Sequence, residues 1–353
     1  MSRPEASDLV TLSTLPAPSG LHFRWAYACV RRVHEGQTKQ GRPYIDMVLA
    51  DADRVVAAKV WDDERAALCM ARKLHRGQAV LACFTVEEYQ GATQLNVRGL
   101  WLAKADDTGY SPALVYGPGH ELLLGMGRIC PTLVVDIETV PAARFAELPP
   151  GVAASIERHA ARDGTDTMTV MSLSPMLGKV VSLAFVDGEN PAAEPHALAV
   201  PPEAHDGLKG RATAFASERD LLLAFWDLAS WAEVVVTYNG RGFDIPFLVG
   251  RSLALGVPVR VDLLGNPYTL RPHLDLMRLL GAGRPGPGSL EAVCYGLGIE
   301  SPKEGGMSGA EVAPAYARGE IERIAEYNRQ DVRATAELYR KVRDGVLRFR
   351  SDW

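Results

Sequence analysis

CPTLVVDIETV, residues 130–140, is the stretch on which the fold turns. Leu133-Val134-Val135 is a short apolar run rich in β-branched residues, the pattern of a strand covered on both faces. Side chains alternate along such a strand, so Asp136 and Glu138, two residues apart, project to one face. An ionised carboxylate there is costly unless something positive sits against it, and a second like charge makes the cost worse. The strand itself supplies no Lys or Arg. A divalent cation resolves the conflict, and hard oxygen donors select Mg²⁺ or Mn²⁺ over zinc. A strand end at which both acids simply meet water is the plainer alternative, and the Asp-x-Glu pair alone leaves both open.

Outward from this strand, strand-like and helix-like runs alternate, which predicts α/β architecture. Strands are expected at 132–137, 180–186, 196–200 and 234–238, and helices near 151–162, 217–231, 243–255, 289–297 and 319–347. Ser217 with Asp220 is a capping-box pattern, and Ser289 precedes LEAVCYGL as a cap. The strand VVV at 234–236 runs into TYNGRGFDIPF, 237–247. Asp244 then stands near a helix start at the strand's C-terminal edge, where open α/β sheets place ligands. Dipole complementation is the simpler account of Asp244, and an Asx turn that of Asn239. In EYNRQD, 326–331, Tyr327 and Asp331 are four apart and share a helix face. A packed aromatic and an arginine-paired acid, with Arg329 and Arg333 nearby, would explain them equally.

Between residues 140 and 179 the connection is long and reads as a helix and a loop, either surface elaboration or a border to a substrate channel. His273 and Asp275 in HLDL read as structural. Lys303, in a Gly-rich loop, is a candidate phosphate contact, with a mobile loop the simpler reading.

From residue 21 to 104 the pattern changes to three strands, a helix capped by Asp62, and two strands joined at Gln90-Gly91. This is the order of an OB-fold barrel, whose open face and loops commonly hold single-stranded nucleic acid. Gln94, Asn96 and Arg98 share one strand face, solvated or in contact with a ligand. Lys59 and Tyr44 lie among further basic and aromatic residues, as a backbone-tracking groove with stacking platforms requires. Trp61 reads as core, closing the barrel end, ahead of the alternative of a stacking platform. The segment 106–128 is rich in Gly, Pro and small residues, as a linker is, with an ordered part at 121–124.

A net charge of −5 argues against a broad basic field for duplex DNA or an anionic membrane, although residues 1–110 are close to neutral and the acidity lies beyond them. Five scattered cysteines without a Cys-x-x-Cys pair give no disulfide framework or thiolate zinc site. No segment approaches the roughly 20 apolar residues of a membrane span. A soluble, cytoplasmic protein is the expectation.

Asp136-x-Glu138, YNGRGFD ending at Asp244, and Tyr327-x-x-x-Asp331 follow the order of the three motifs of the DEDD superfamily of 3′–5′ exonucleases, which residues 130–345 resemble. The sister subgroup has a His five residues before the last Asp, where this chain has Glu326. The tyrosine subgroup, DEDDy, is therefore indicated, similar to the proofreading exonuclease domain of family B DNA polymerases and its stand-alone relatives. The barrel resembles the OB domain attached to some bacterial 3′–5′ exoribonucleases, chiefly in GRPYIDMVLAD, AAKVWD and YQGATQLNV.

These resemblances imply an OB-fold domain at 1–105, a linker at 106–128, and at 129–353 a ribonuclease-H-like mixed sheet with flanking helices. They imply that Asp136, Glu138, Asp244 and Asp331 hold two Mg²⁺ or Mn²⁺ ions and that Tyr327 orients the attacking water. Asn239, Phe243 and Thr139 are the implied contacts to the terminal nucleotide, and Lys59, Arg98 and Tyr44 the candidate barrel contacts. The implied substrate is single-stranded DNA or RNA with a free 3′ end, cut to 5′-mononucleotides, without a membrane partner. DNA is favoured; an exoribonuclease in RNA turnover is the alternative. A non-catalytic single-strand-binding protein would require a lost acid or tyrosine, and none is missing.

Overall fold

In the computed structural model, which describes residues 4, 8–18, 22–117, 120, 130–202, 208, 210–266, 268–281, 288–301 and 307–353, the chain divides into two units, Met1–Ile129 and Cys130–Trp353. Five strands build the first: β1 (Arg24–Gln37), β2 (Pro43–Ala50), β3 (Val55–Trp61), β4 (Ala79–Tyr89) and β5 (Ala92–Leu102), with helix α1 (Arg65–Ala71) between β3 and β4; burial alternates along β2 and β3 and is continuous along most of β4. They close into a barrel in the order β1-β2-β3-β5-β4. Pairing between β3 and β5 is parallel and the other neighbours are antiparallel. That order and helix position make it an OB-fold. Val30, Ile45, Met47, Val60, Phe84 and Leu95 fill the interior, to which α1 adds Ala67, Leu68 and Ala71. Gln90 and Gly91 both have positive φ, 54° and 78°, as a two-residue type I′ hairpin turn requires.

Three expectations for this unit meet a different arrangement. Asp62 does not cap α1, whose N-cap is Glu64; its carboxylate instead accepts Arg42 Nε and Nη2 at 2.9 and 2.6 Å. Trp61 is outside the core: Val56, Ala58 and Val60 point inward, so Trp61 lies half-buried on the outer face. Within the stretch read as a linker, Pro112–Tyr116 forms helix α2. It is tied down where Ala52 N donates to Leu114 O at 2.9 Å and the Tyr116 hydroxyl to Gly77 O at 2.9 Å. Residues 121–124 lie outside the described residues.

A mixed sheet organises the second unit. Its strands are β6 (Thr132–Pro141), β7 (Gly178–Asp187), β8 (His196–Ala199), β9 (Ala212–Ala214), β10 (Val234–Thr237) and β11 (His273–Asp275), in the order β11-β10-β6-β7-β8-β9. The ladders β11-β10, β10-β6 and β8-β9 are parallel, and β6-β7 and β7-β8 antiparallel. The helices are α3 (Pro150–Asp163), α4 (Thr167–Ser172), α5 (Glu218–Trp231), α6 (Asp244–Ala254), α7 (Leu276–Leu280), α8 (Leu290–Leu297), α9 (Gly309–Ala317) and α10 (Ile321–Gly345). Ser217 and Ser289 cap α5 and α8 through their side chains.

The long α10 packs along β6, β7 and β8. One apolar cluster joins Val134, Val236 and Leu274 of the sheet to Val332, Leu338 and Tyr339 of α10. Val134 has the same strand parity as Asp136 and Glu138, so the helix that covers the apolar part of β6 is also the helix that reaches the two acids. The β9 and β11 strands, and helices α4, α7 and α9, were absent from the sequence expectation. Among the described residues no helix is long and apolar enough to cross a membrane.

Candidate active site

Asp136 and Glu138 leave β6 on one face, and immediately after Glu138 the ladder slips by a residue, a β-bulge whose extra residue is Val181 of β7. Asp244 is the first residue of α6, and its Oδ1 accepts the Ile137 amide at 3.3 Å. That bond ties the second motif to the strand between the two acids of the first. The turn delivering Asp244 is held from beneath by Asp275, whose carboxylate accepts the amides of Asn239 and Arg241, each at 3.0 Å. Asn239 takes a left-handed conformation, φ 63°, and Gly240 is required because a Cβ there would lie 2.3 Å from Thr237 Oγ1. His273 is buried beside it, bonded to Thr237 Oγ1 at 2.8 Å and Leu263 O at 3.1 Å. Burial and the Arg241 charge push its imidazole down to about 3. A neutral ring with Nδ1–H facing the carbonyl satisfies both contacts. His273 and Asp275 are thus supports of the turn.

From α10, Tyr327 and Asp331 complete the cluster. Asp136, Glu138 and Asp331 each offer a carboxylate oxygen within 4.8 Å of one another. Burial, then the charges of Asp244, Asp331 and Glu138, push the Asp136 carboxyl well above its ordinary range. Glu138 moves the same way, through burial and then Asp331 and Asp244. Asp244 rises to about 7, mainly by burial. The Tyr327 phenol is pushed up by burial first and then by Asp331, Glu138 and Asp136, so it holds its proton at neutral pH. A set of hard oxygen donors whose charges oppose one another, sunk in the protein, fits a divalent cation.

Two clefts flank the acids. One, of about 390 Å³, is lined by Asp136, Tyr327 and Asp331 with Tyr238 and Asn239. The other, of about 580 Å³, has Glu138, Thr139 and Phe243 on its lining, with Met168 and Leu173 from the α4 segment and Ala313 from α9. The segment between β6 and β7 therefore borders a site cleft and is more than surface elaboration.

Residues 207–348 match the family described as "Predicted 3'-5' exonuclease related to the exonuclease domain of PolB". The second unit is similar to that exonuclease domain. A DNA polymerase of Pyrococcus glycovorans is 32% identical over 142 residues, 35% of this chain and 18% of the polymerase. DNA polymerase 1 of Aeropyrum pernix is 31% identical over 134 residues, 35% of this chain and 14% of its own. The chain thus spans under a fifth of the length of these relatives. A solved family B DNA polymerase from Pyrobaculum calidifontis superposes with TM-score 0.41 at 16% identity, over 90% of this chain and 46% of that one. The second OB-fold domain of replication protein A from Methanococcus maripaludis gives 0.23 at 15%, over 28% and 98%.

The PolB-like match contains Asn239, Phe243, Asp244, Tyr327 and Asp331 but begins after Asp136 and Glu138. It is the fold that joins the first motif to the other two. Of the expected substrate contacts in this unit, Phe243 lines the Glu138 cleft beside Phe247, with ring centroids 5.5 Å apart, and Asn239 lines the other. The Thr139 hydroxyl donates to Ser172 O at 2.8 Å and so braces α4. Lys303 lies outside the described residues. Asn328, missed in the sequence, is fully buried and bonded to Asp136; its only signal was its place inside the third motif.

On the barrel, Tyr44 and Trp61 are cross-strand partners, with ring centroids 5.6 Å apart. Lys59 Nζ lies 4.5 Å from the centre of the Tyr44 ring and 4.9 Å from that of Trp61. The same ammonium is 3.3 Å from Asp46. Arg98 instead pairs with Glu64 at 3.3 Å.

Proposed function

We propose that the protein is a metal-dependent 3′–5′ exonuclease that hydrolyses single-stranded nucleic acid, with DNA favoured, to 5′-mononucleotides. The observation that carries this reading is the convergence of Asp136, Glu138 and Asp331 from β6 and α10 within 4.8 Å, with Asp244 of α6 bonded to the strand between the first two. The second unit's likeness to the PolB exonuclease domain supports it.

These four acids are the ligands we assign to two Mg²⁺ or Mn²⁺ ions. Bound divalent ions supply an activated water and stabilise both the attacking and the leaving oxygen of in-line displacement at phosphorus. The chain's own residues do the rest. Tyr327, protonated, donates to and orients the water and does not act as the base. Phe243, on the lining of the Glu138 cleft, offers an apolar face to the last nucleotide, and Asn239, on the other, a polar one.

On the barrel we assign the Tyr44–Lys59–Trp61 face to the single strand, with the rings as stacking surfaces and Lys59 exchanging Asp46 for a phosphate. Arg98 is paired with Glu64 at the same 3.3 Å as Lys59 with Asp46; Lys59 is the stronger candidate because two aromatic rings flank it. Matched 3′- and 5′-labelled DNA and RNA, single- and double-stranded, incubated with Mg²⁺ or Mn²⁺ and with chelator, test the assignment. A 3′-to-5′ ladder of mononucleotides from single-stranded DNA is expected. Failure to cut any of these with either metal sinks the reading, and preference for RNA turns it to the exoribonuclease alternative.

A further inference from the structure

Asn328 lies on α10 between Tyr327 and Asp331 and is fully buried, yet the chemistry assigned above gives it no task. Its amide bridges two strands. Ser182 Oγ on β7 is 2.8 Å from Asn328 Oδ1, and Asn328 Nδ2 is 2.7 Å from Asp136 Oδ2 on β6. The amide has one workable orientation. A carboxylate only accepts, so the NH₂ end must face Asp136, and the carbonyl end then requires a donor, which the Ser182 hydroxyl provides. Among the described residues no other hydrogen bond reaches the Asp136 side chain, although Asp136 stands among three other carboxylates that repel it.

We propose that Asn328 is the positioning residue of the first motif: through Ser182 and Asp136 it fixes the plane of that carboxylate and locks α10 in register with β6, so that Asp331 and Asp136 present oxygens to one cation. The proposal rests on the metal site assigned under the proposed function. The physical argument is one of geometry. Tyr327, Asn328 and Asp331 are on one rigid helix. Its far end, about three turns away, is tied by Tyr339 and Arg343 to Glu189, which Thr132 of β6 also bonds; beside the acids, contacts with the sheet such as that of Val332 are apolar, nondirectional and tolerate axial sliding. A buried bond of 2.7 Å to a charged acceptor does not.

The test compares wild type with Asn328→Leu, which is close in volume but removes both polar ends, and with Ser182→Ala, which keeps the donor to Asp136 but frees the amide to turn. Mn²⁺ affinity is measured directly, by calorimetry and by loss of the free-Mn²⁺ paramagnetic resonance signal, with the unfolding midpoint in chelator alongside. Removing a group that orients a metal ligand typically weakens binding about 10- to 100-fold. Asn328→Leu is expected in that range, and Ser182→Ala between it and wild type. A role confined to packing would lower the unfolding midpoint and leave Mn²⁺ affinity where it was. Wild-type affinity in Asn328→Leu overturns the proposal, and so does wild-type affinity in Ser182→Ala should Asn328→Leu fail to fold. Mn²⁺ binding that follows the expected order in a protein that cuts no nucleic acid leaves Asn328 standing and removes the exonuclease reading.

Discussion

Glu138 and Glu218 are equally buried, each 9% exposed, in the same unit, and they are electrostatic opposites. Glu218 is met by Arg251 Nη2 at 2.7 Å and Nε at 2.9 Å and by the Val180 amide at 2.8 Å. Glu138 is met by Asp136 and Asp331. A carboxylate that finds its cation inside the chain holds the fold together. One surrounded by its own kind holds a place for something the chain does not contain. Burial alone does not tell the two apart; the sign of the nearest charge does.

Removing the protein's own cation is the most severe way to break the contrast. Arg251→Met leaves Glu218 buried with the Val180 amide and only the more distant charge of Lys179, and the unfolding free energy by denaturant titration is expected to fall by about 3–5 kcal/mol. At the other carboxylate set the same kind of change should spare the fold and remove the chemistry. Asp244→Asn or Asp331→Asn is expected to cut turnover at least about a hundredfold, with an unfolding midpoint in chelator no lower than wild type. Near-normal turnover in either purified variant would defeat the site assignment.

A third expectation concerns pH. Asp136, Glu138 and Asp244 all titrate above the ordinary carboxylate range in the metal-free fold, so that fold holds protons the unfolded chain releases. Stability without metal is therefore full below the unfolded-state value and lost as pH rises, from 3.8 towards about 7 for Asp244. Glu138→Gln should flatten this decline in thermal scans with chelator, and Mn²⁺ should abolish it. A decline as steep in Glu138→Gln as in wild type would mean that the acids do not feel one another. The smallest effect belongs to Lys59, a cation with its own acid beside it. Lys59→Ala should weaken single-strand binding in chelator by about 0.5–1 kcal/mol and reduce the slope of log affinity against log salt by about one.

The sequence made legible what repeats or alternates. Four of the six strands of the sheet, the barrel order and all three motifs were readable because each carries a local pattern: apolar runs, period-two burial, a Gly-rich turn before an acid. The strands Ala212–Ala214 and His273–Asp275 were not, since three residues show no period and only their neighbours make them strands. Helix α9 contains Pro314, which reads as a break. Trp61 was legible and misread: Val56, Ala58 and Val60 already assign the odd positions to the outside. The bond from Asn328 to Asp136 joins residues 192 positions apart, and no window on the sequence contains it.

The bulge opposite Glu138 sets sheet regularity against function. The extra residue is on β7: Glu138 pairs with Ser182 and Thr139 with Val180, which leaves Val181 between them. Val181 is fully buried and packs with Ile321 and Ile324 of α10, the cluster against which Tyr327 rests. Deleting Val181 would repair the pairing of β6 with β7 and improve the sheet as a sheet. It would also take away the apolar seat of the helix turn that leads to Tyr327. Substitutions along β7 are graded injuries; a one-residue gap here mends the ladder and unseats the site.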